Sequence, residues 1–174
     1  MSRIQQRLRD VVNGYAKPAI VYRVESLEEL EAAMTRTGHS FDLIYSQAAI
    51  EHIWHIEAFW AAMGRLTASG GWHSHRIDLA DHGRRETNYI EMLEWSPLSY
   101  WLTMRLIPGA INRWRACHHL EKMTALGMRT LSKQRNQRGR LPIPLSQVSL
   151  EFRQLGADEL RTTALDVVAV KEMS

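Results

Sequence analysis

Residues 41–52 read Phe-Asp-Leu-Ile-Tyr-Ser-Gln-Ala-Ala-Ile-Glu-His, and this stretch decides the fold. Its first part, residues 41–45, is mostly apolar and aromatic and predicts a short buried strand. The polar pair Ser46-Gln47 ends that strand, and a helix is predicted to follow from about residue 48 to residue 64. Open α/β sheets bind their ligands where such strands end, so the polar pair predicts a binding site.

Strands and helices alternate outward from this stretch. Ser26 followed by Glu29 is a capping-box pattern, which predicts a helix over about 27–36. The other predicted elements are helices at about 2–13, 87–107 (broken at Ser96-Pro97) and 111–126, and strands at about 19–24, 72–79, 128–133 and 163–170. This alternation predicts an α/β fold with a mainly parallel sheet and helices on both faces. The last two strands are joined by a loop, which permits an antiparallel pair.

The bulk composition is that of one globular domain. The chain has 174 residues, of which 45% are hydrophobic and 24% charged. No apolar run reaches the roughly 18 residues of a membrane-spanning helix, and the first residues lack the apolar block of a secretory signal. Because there is a single cysteine, Cys117, a cytoplasmic location is expected, with Cys117 a packed residue and not a nucleophile.

Three blocks, taken in order, resemble the class I S-adenosylmethionine-dependent methyltransferases of the type 11-like group. Residues 41–52 resemble the fourth-strand motif of that family, and residues 66–71, Leu-Thr-Ala-Ser-Gly-Gly, are similar to the turn before its fifth strand. Residues 74–82, Ser-His-Arg-Ile-Asp-Leu-Ala-Asp-His, resemble the signature of one subgroup. The resemblance implies a partial Rossmann-like methyltransferase sheet with an antiparallel final strand.

One part of the family pattern is missing. The family begins with a strand and a Gly-x-Gly-x-Gly loop that lets the cofactor approach a helix N-terminus. Before residue 70 this chain has only Gly14, Gly38 and Gly64, and residues 19–24 match the third strand of the family best. The expectation is therefore that residues 1–174 form a single, N-terminally incomplete methyltransferase-like domain that binds S-adenosylmethionine weakly or not at all.

The resemblance implies positions for the cofactor. Glu25 and Ser26 follow the third-strand segment, where the family contacts adenine, and Ser46 and Gln47 match positions beside the methionine portion. The alternatives are a helix-start carboxylate for Glu25 and simple strand-end polarity for Ser46 and Gln47.

The resemblance also implies catalytic residues. His75, Asp78 and His82 would lie at the mouth of the substrate pocket, where a general base could sit. The alternative is that they organise the loop after the strand. His73 and His75 share a strand face, as metal ligands can, but their spacing to Asp78 and the residues beyond is not that of metallo-β-lactamase-like hydrolases, so no metal is predicted.

Substrate contacts are predicted at three further residues. His52 is assigned either a substrate-side role or the anchoring of its loop. Arg113 and Arg115 lie in residues 105–140, which hold nine basic residues and one acidic residue, and could bind a phosphate or carboxylate. The alternative is a solvated helix face. Nearby aromatic residues could cover a sugar-like substrate or form core; they are Tyr89, Trp95, Tyr100 and Trp101.

Two functions stay open on the sequence. The first is methyl transfer from S-adenosylmethionine to a small-molecule or glycan-linked acceptor. The second is a non-catalytic, methyltransferase-derived fragment that serves as a binding or partner subunit, with self-association or a complementing chain. The sequence shows no nucleic-acid motif, so neither a nucleic-acid partner nor a membrane partner is expected.

Overall fold

The computed structural model describes Gln6 and residues 24–104, 106–107 and 109–173. The strands are β1 (Phe41–Gln47), β2 (Thr67–Asp78), β3 (Met128–Gln137) and β4 (Thr162–Lys171). The α-helices are α1 (Leu27–Thr37), α2 (Ile56–Leu66), α3 (Pro97–Met104), α4 (Ala116–Ala125), α5 (Leu150–Arg153) and α6 (Gly156–Leu160). Short 3₁₀ turns occur at Ile50–His52, Glu91–Leu93 and Leu145–Gln147. The predicted helix at 2–13 and strand at 19–24 lie outside the described residues, apart from Gln6 and Val24.

The four strands form one sheet in the order β1-β2-β4-β3. β1 and β2 are parallel, with Leu43 opposite Trp72, and β4 is antiparallel to both β2 and β3. Three strands therefore run in one direction and only the final strand opposes them. This confirms the predicted neighbours β1 and β2, the antiparallel placement of 163–170 beside 72–79, and the mainly parallel sheet with an antiparallel final strand.

Several element boundaries differ from the predicted ones. The helix predicted from residue 48 begins at Ile56, because the 3₁₀ turn at Ile50–His52 intervenes. β2 begins at Thr67, five residues before the prediction, and passes through a bulge at Gly70, whose φ is 72°. At Gly71 a Cβ atom would lie 2.8 Å from the Ala68 carbonyl oxygen and 2.9 Å from that of Phe41, so only glycine fits.

The main core lies on one face of the sheet. In β2 the buried side chains alternate with more exposed ones, so that His73, His75 and Ile77 point toward the helices. Trp60 of α2 and Met123 of α4 pack with them in this core. On the opposite face the side chains of three large residues are exposed: Leu43, Tyr45 and Trp72.

A second apolar cluster follows the strand ends. It combines residues from the segment 80–111 with others from 148–160, including Ile90, Leu93, Tyr100, Phe152 and Leu160. This cluster fixes the long loop after β2, and with it the position of the residues predicted for catalysis. None of the described helices combines the length and the apolar character that crossing a lipid bilayer requires.

Candidate functional site

Several of the predicted site residues lie where β1 and β2 end. Parallel neighbouring strands end at the same edge of a sheet, and here β1 ends at Gln47 and β2 at Asp78. Ser46 Oγ lies 2.8 Å from His75 Nδ1, so the structure brings together a predicted cofactor residue and a predicted catalytic residue. The chain then turns at Ala48, which has a φ of 48° and donates its N–H to the Arg76 carbonyl at 2.9 Å.

A continuous chain of hydrogen bonds runs inward from Ser46. His75 Nε2 lies 2.9 Å from His73 Nδ1, His73 Nε2 lies 2.7 Å from Thr67 Oγ1, and Thr67 Oγ1 lies 2.5 Å from the Met63 carbonyl oxygen. A carbonyl can only accept, so the Thr67 hydroxyl donates to Met63 and accepts from His73. Each histidine then donates from Nε2, and the Ser46 hydroxyl donates to His75 Nδ1. One backbone carbonyl, that of Met63, thus sets which group donates and which accepts in every one of these hydrogen bonds.

Burial holds three histidines neutral: His73, His75 and His119. Burial, with the charge of Lys171 as a smaller cause, lowers the pKa of His73 to about 4. Burial followed by the proximity of His73 lowers the pKa of His75 to about 3. His119 is likewise buried, accepts from Trp60 Nε1 at 3.1 Å, and has its pKa lowered to about 3, chiefly by burial. His75 has only 3% of its surface exposed, so Ser46 separates it from any ligand at the strand ends.

Asp78 and His82 lie in a more open part of the same edge. His82 Nε2 is 3.4 Å from Asp78 Oδ2, and Arg85 also forms an ion pair with Asp78. Asp78 Oδ1 accepts the N–H of Ala80 at 3.0 Å, so one oxygen shapes the loop while the other faces His82 and Arg85. Asp78 therefore organises the loop, which is the alternative considered from the sequence, and it also pairs with His82; its predicted part in catalysis stays a prediction.

His52 is brought to the same place from the 3₁₀ turn that follows β1. Asn112 fixes this turn, because its side-chain amide donates to the carbonyls of Ile50 at 2.9 Å and Ile53 at 3.1 Å. The rings of His52 and His82 then meet edge to face, with their centroids 5.2 Å apart. The interaction joins residues 30 positions apart in the sequence, and no local pattern indicates it.

Two cavities border this region and share Tyr100. The histidine cavity, about 370 Å³, is lined by Asp81, His82, Tyr100, Met104, Ile107 and Ile111 among others. The aromatic cavity, about 320 Å³, is lined by Trp54, Tyr100, Trp101, Arg113, Trp114 and Glu151 among others. A larger cavity of about 480 Å³, around Arg138 and Arg140, contains none of the predicted site residues.

The two predicted substrate-binding arginines have different surroundings. Arg113 lines the aromatic cavity, where it forms an ion pair of 2.7 Å with Glu151 and lies over the rings of Tyr100 and Phe152. Arg115 is fully buried and donates to the carbonyls of Leu79, at 2.5 Å, and Thr162. Burial lowers the pKa of Arg115 to about 10. In this arrangement Arg115 joins the loop after β2 to the start of β4.

The predicted cofactor residues are largely engaged within the chain. Ser26 caps α1, accepting the Glu29 N–H at 3.2 Å while Glu29 accepts the Ser26 N–H at 2.7 Å. Gln47 Oε1 accepts the Tyr45 hydroxyl at 2.6 Å, and Ser46 is bound to His75. Glu25 is half-buried at the start of α1. The described residues therefore offer no glycine cradle and few free polar groups for S-adenosylmethionine, and they do not fit that cofactor by themselves.

Two residues that define this site are not among the predicted site residues. Glu51 is considered from the sequence only as part of the pair Glu51-His52 on a predicted helix, yet its side chain is buried. Thr67 was assigned to a turn, yet it sets the direction of the hydrogen-bond chain. The nearest sequence signals are the adjacent pair Glu51-His52 and the polar residue at the end of an otherwise apolar helix, and both are common in ordinary structural positions.

Comparison with known proteins gives structural matches only: no family model and no curated protein sequence matches this chain. A putative S-adenosylmethionine-dependent methyltransferase from Listeria monocytogenes has a TM-score of 0.51 and 15% identity, covering 97% of this chain and 76% of its own. An S-adenosylmethionine-dependent methyltransferase from Mesorhizobium loti has a TM-score of 0.49 and 18% identity, and the match covers 95% of this chain and 76% of the Mesorhizobium chain.

A third match is the complex of the Haloferax volcanii Trm112 methyltransferase activator with a putative methyltransferase. It has a TM-score of 0.44 and 13% identity, and the match covers 78% of this chain but 55% of the solved one, so this chain spans about half of its length. The Listeria match, which covers nearly the whole of this chain, supports the likeness in fold. The chain has the fold of the class I S-adenosylmethionine-dependent methyltransferases.

Proposed function

We propose that this chain is a methyltransferase-like protein acting on a small-molecule or glycan-linked acceptor, and that residues 1–174 bind S-adenosylmethionine weakly. The observation that carries the proposal is the meeting of polar side chains at the shared edge of β1 and β2. Ser46 and His75 lie there, together with the Asp78–His82 pair. Ligand sites of open α/β sheets lie outside such carboxyl ends.

The acceptor is assigned to the two cavities that share Tyr100. The exposed faces of Trp54 and Trp101 in the aromatic cavity suit the C–H faces of a sugar ring, and Glu151 offers a hydrogen-bond acceptor for its hydroxyls. His82 lines the histidine cavity and has Asp78 as its partner, so it is the residue best placed to act on an acceptor hydroxyl. His75 acts through Ser46, as a positioning residue.

Within this function, methyl transfer depends mainly on positioning. S-adenosylmethionine, when bound, supplies the electrophilic methyl group. The residues described here bind and orient the acceptor. Ser46 lies at the end of β1, and its orientation is fixed because its hydroxyl donates to His75 Nδ1.

The second candidate is a non-catalytic binding subunit. It is favoured by the poor fit of the cofactor, because Ser26, Ser46 and Gln47 already have partners within the chain. The exposed apolar side chains of Leu43 and Tyr45 on β1 would then contact a second polypeptide. The Haloferax methyltransferase, which is bound to an activator protein, supports the idea of a complementing chain for this fold.

Calorimetry and a methyl-transfer assay distinguish the catalytic function from the non-catalytic binding subunit. Losing two or three charge-assisted hydrogen bonds, each worth about 1.5–3 kcal/mol, should weaken a micromolar site by roughly two orders of magnitude or more. We therefore expect no low-micromolar binding of S-adenosylmethionine, and slow transfer of a labelled methyl group to hydroxylated or glycan-linked acceptors at high cofactor concentration. Transfer should be lost in His82→Gln and kept in His55→Gln.

Each outcome decides something. Low-micromolar cofactor binding would overturn the weak-binding part of the proposal. An absence of transfer to every acceptor, in folded protein with saturating cofactor, would overturn the catalytic function and leave the binding subunit. Equal transfer by His82→Gln and the wild type would remove His82 from the chemistry.

A further inference from the structure

Glu51 is a buried carboxylate without a direct partner. Only 2% of its surface is exposed, and neither Oε1 nor Oε2 forms a hydrogen bond to another described residue. Burial raises the pKa of the Glu51 carboxyl, and the backbone N–H groups of Glu51 and Asp78 lower it by less. A buried charge with no pairing is costly, so a residue in this position points to a ligand that supplies the missing charge.

Two histidines face this carboxylate. Ligand atoms of Glu51, His52 and His82 all lie within 4.8 Å of one another. His52 Nδ1 lies 3.3 Å from the Ala110 carbonyl oxygen, which leaves Nε2 free, and His82 Nε2 lies 3.4 Å from Asp78 Oδ2, which leaves Nδ1 free. Metal-binding histidines are typically oriented in this way, with the second ring nitrogen donating to a carbonyl or carboxylate.

We propose that Glu51, His52 and His82 bind a divalent transition-metal ion of the zinc class. Two imidazole nitrogens and one carboxylate are a ligand set suited to Zn²⁺, whereas Mg²⁺ and Ca²⁺ require oxygen ligands. Ligands about 2.1 Å from a tetrahedral ion are about 3.4 Å apart, so the present separation must shrink. The exposed side chains of His52 and His82 can rotate to do this, while the buried Glu51 and the Asn112-bound turn stay fixed.

The ion would have an open coordination position. Three protein ligands leave a fourth site for water or a substrate oxygen in zinc proteins with a reactive metal. His82 lines the histidine cavity, and His52 is held by Ala110, which lines it too, so the open position borders that cavity. Metal binding itself does not depend on methyl transfer. If the proposed function also holds, a bound ion replaces His82 in activating the acceptor hydroxyl, because coordination lowers the pKa of an oxygen ligand.

The test is titration of the full chain, freed of metal by a chelator, with ZnCl₂ in a calorimeter. We expect one ion per chain, a rise in Tm on binding, and visible absorption from a four-coordinate ion when Co²⁺ replaces Zn²⁺. His82→Ala should weaken Zn²⁺ binding at least about 100-fold, more than the loss of an outer partner does. His55→Ala, which removes a different exposed histidine, should leave the affinity unchanged and controls for surface binding.

Glu51→Gln gives a second test, in which the substitution should affect Tm differently without and with Zn²⁺. Without metal, the neutral amide should leave Tm unchanged or raise it, because a buried unpaired charge is removed. With Zn²⁺, the Tm rise seen in the wild type should disappear. A wild-type chain that binds no Zn²⁺, or binds it equally well after His82→Ala, would overturn the metal site. An unchanged Zn²⁺-induced Tm rise in Glu51→Gln would remove Glu51 from it. These readouts do not involve methyl transfer, so their failure is distinct from failure of the proposed function.

Discussion

Ser46 and His75 share a hydrogen bond of 2.8 Å that links the end of β1 to the interior of β2. From His75 the bonds continue through His73 and Thr67 to the Met63 carbonyl. Each ring nitrogen of His73 and His75 takes part in one of these hydrogen bonds, as a donor or as an acceptor. A proton added to His73 Nδ1 would oppose the N–H group of His75 Nε2, whereas a proton added to His75 Nδ1 would force the Ser46 hydroxyl to turn from donor to acceptor, so the arrangement described here requires both rings to be neutral.

Stability should therefore fall in acid. The pKa values of His73, His75 and His119 lie near 4, 3 and 3, below the ordinary value of 6.5, so the unfolded chain takes up more protons as the pH falls. The stabilisation is complete above pH 6.5 and is lost progressively as the pH falls toward these lower values. Three such groups give a slope of up to about 4 kcal/mol per pH unit. Urea denaturation at several pH values between 7 and 4.5 measures it.

A control variant tests whether the pH dependence of the free energy of unfolding comes from the buried histidines. His39 is exposed, and His39→Gln should leave the pH slope as it is in the wild type. A wild-type chain whose free energy of unfolding is constant from pH 7 to pH 4.5 would show that the three rings are accessible to protons in the folded state.

Ala48→Gly should stabilise the protein. Ala48 has a φ of 48°, in the left-handed region that costs an L-residue roughly 1–2 kcal/mol. Glycine removes that cost but loses more backbone entropy on folding, so we expect a net gain of up to about 1 kcal/mol. Chemical denaturation measures the change. Ala49→Gly, at the next position with a negative φ, should be neutral or destabilising. A loss of stability in Ala48→Gly would show that the Ala48 methyl group makes contacts that outweigh the backbone cost.

Arg115→Met should destabilise the fold by about 3 kcal/mol. The substitution keeps a long side chain but leaves the buried carbonyls of Leu79 and Thr162 without a donor, and each loss costs about 1–3 kcal/mol. Arg129→Met, on an exposed arginine, should change stability by less than about 0.5 kcal/mol. Wild-type stability in Arg115→Met together with weakened binding of an anionic ligand would support the substrate contact predicted from sequence.

The two edges of the described sheet should differ in their tendency to associate. β3 carries Arg129, Lys133 and Arg135, and positive charge protects an edge strand. β1, at the other edge, exposes Leu43 and Tyr45 and should pair with other chains. We expect sedimentation velocity to show concentration-dependent self-association that Leu43→Lys reduces.

Leu150→Lys provides the control for that experiment. Leu150 is more exposed than Leu43 but lies on α5, away from both sheet edges. It should leave self-association unchanged. A wild-type chain that sediments as a monomer at all concentrations would show that β1 is protected, and would contradict the association expected from the sequence.

Local patterns in the sequence were enough to predict much of the fold. The Ser26–Glu29 capping box started a helix at Leu27, and the apolar run at 41–45 formed β1 next to β2. Both signals act over a few residues, where propensity and capping decide the structure. The start of α2 was predicted too early because Asn112, 60 residues away, holds the intervening turn.

The candidate site was less accessible to sequence reasoning because its contacts are long-range. His73 and His75 were recognised as neighbours on one strand face, but their partner Thr67 lies across the Gly70 bulge. The burial of Arg115 depends on carbonyls from two separate segments, so its sequence environment, which is basic and polar, resembled a surface. The proximity of Glu51 to His82 arises only when the loop after β2 folds back.

The position of β4 has a consequence for synthesis. β4 is the last of the described strands to leave the ribosome, yet it lies between β2 and β3 in the sheet. β2 and β3 each form hydrogen bonds to β4 and are not paired with each other. Of the strand pairs in the described sheet, the nascent chain can therefore form only β1–β2 at first, and the sheet closes when residues 162–171 emerge. Until then the buried edge of β2 and the whole of β3 are open to chaperones and proteases. A stop codon just before residue 162 would divide the described sheet in two.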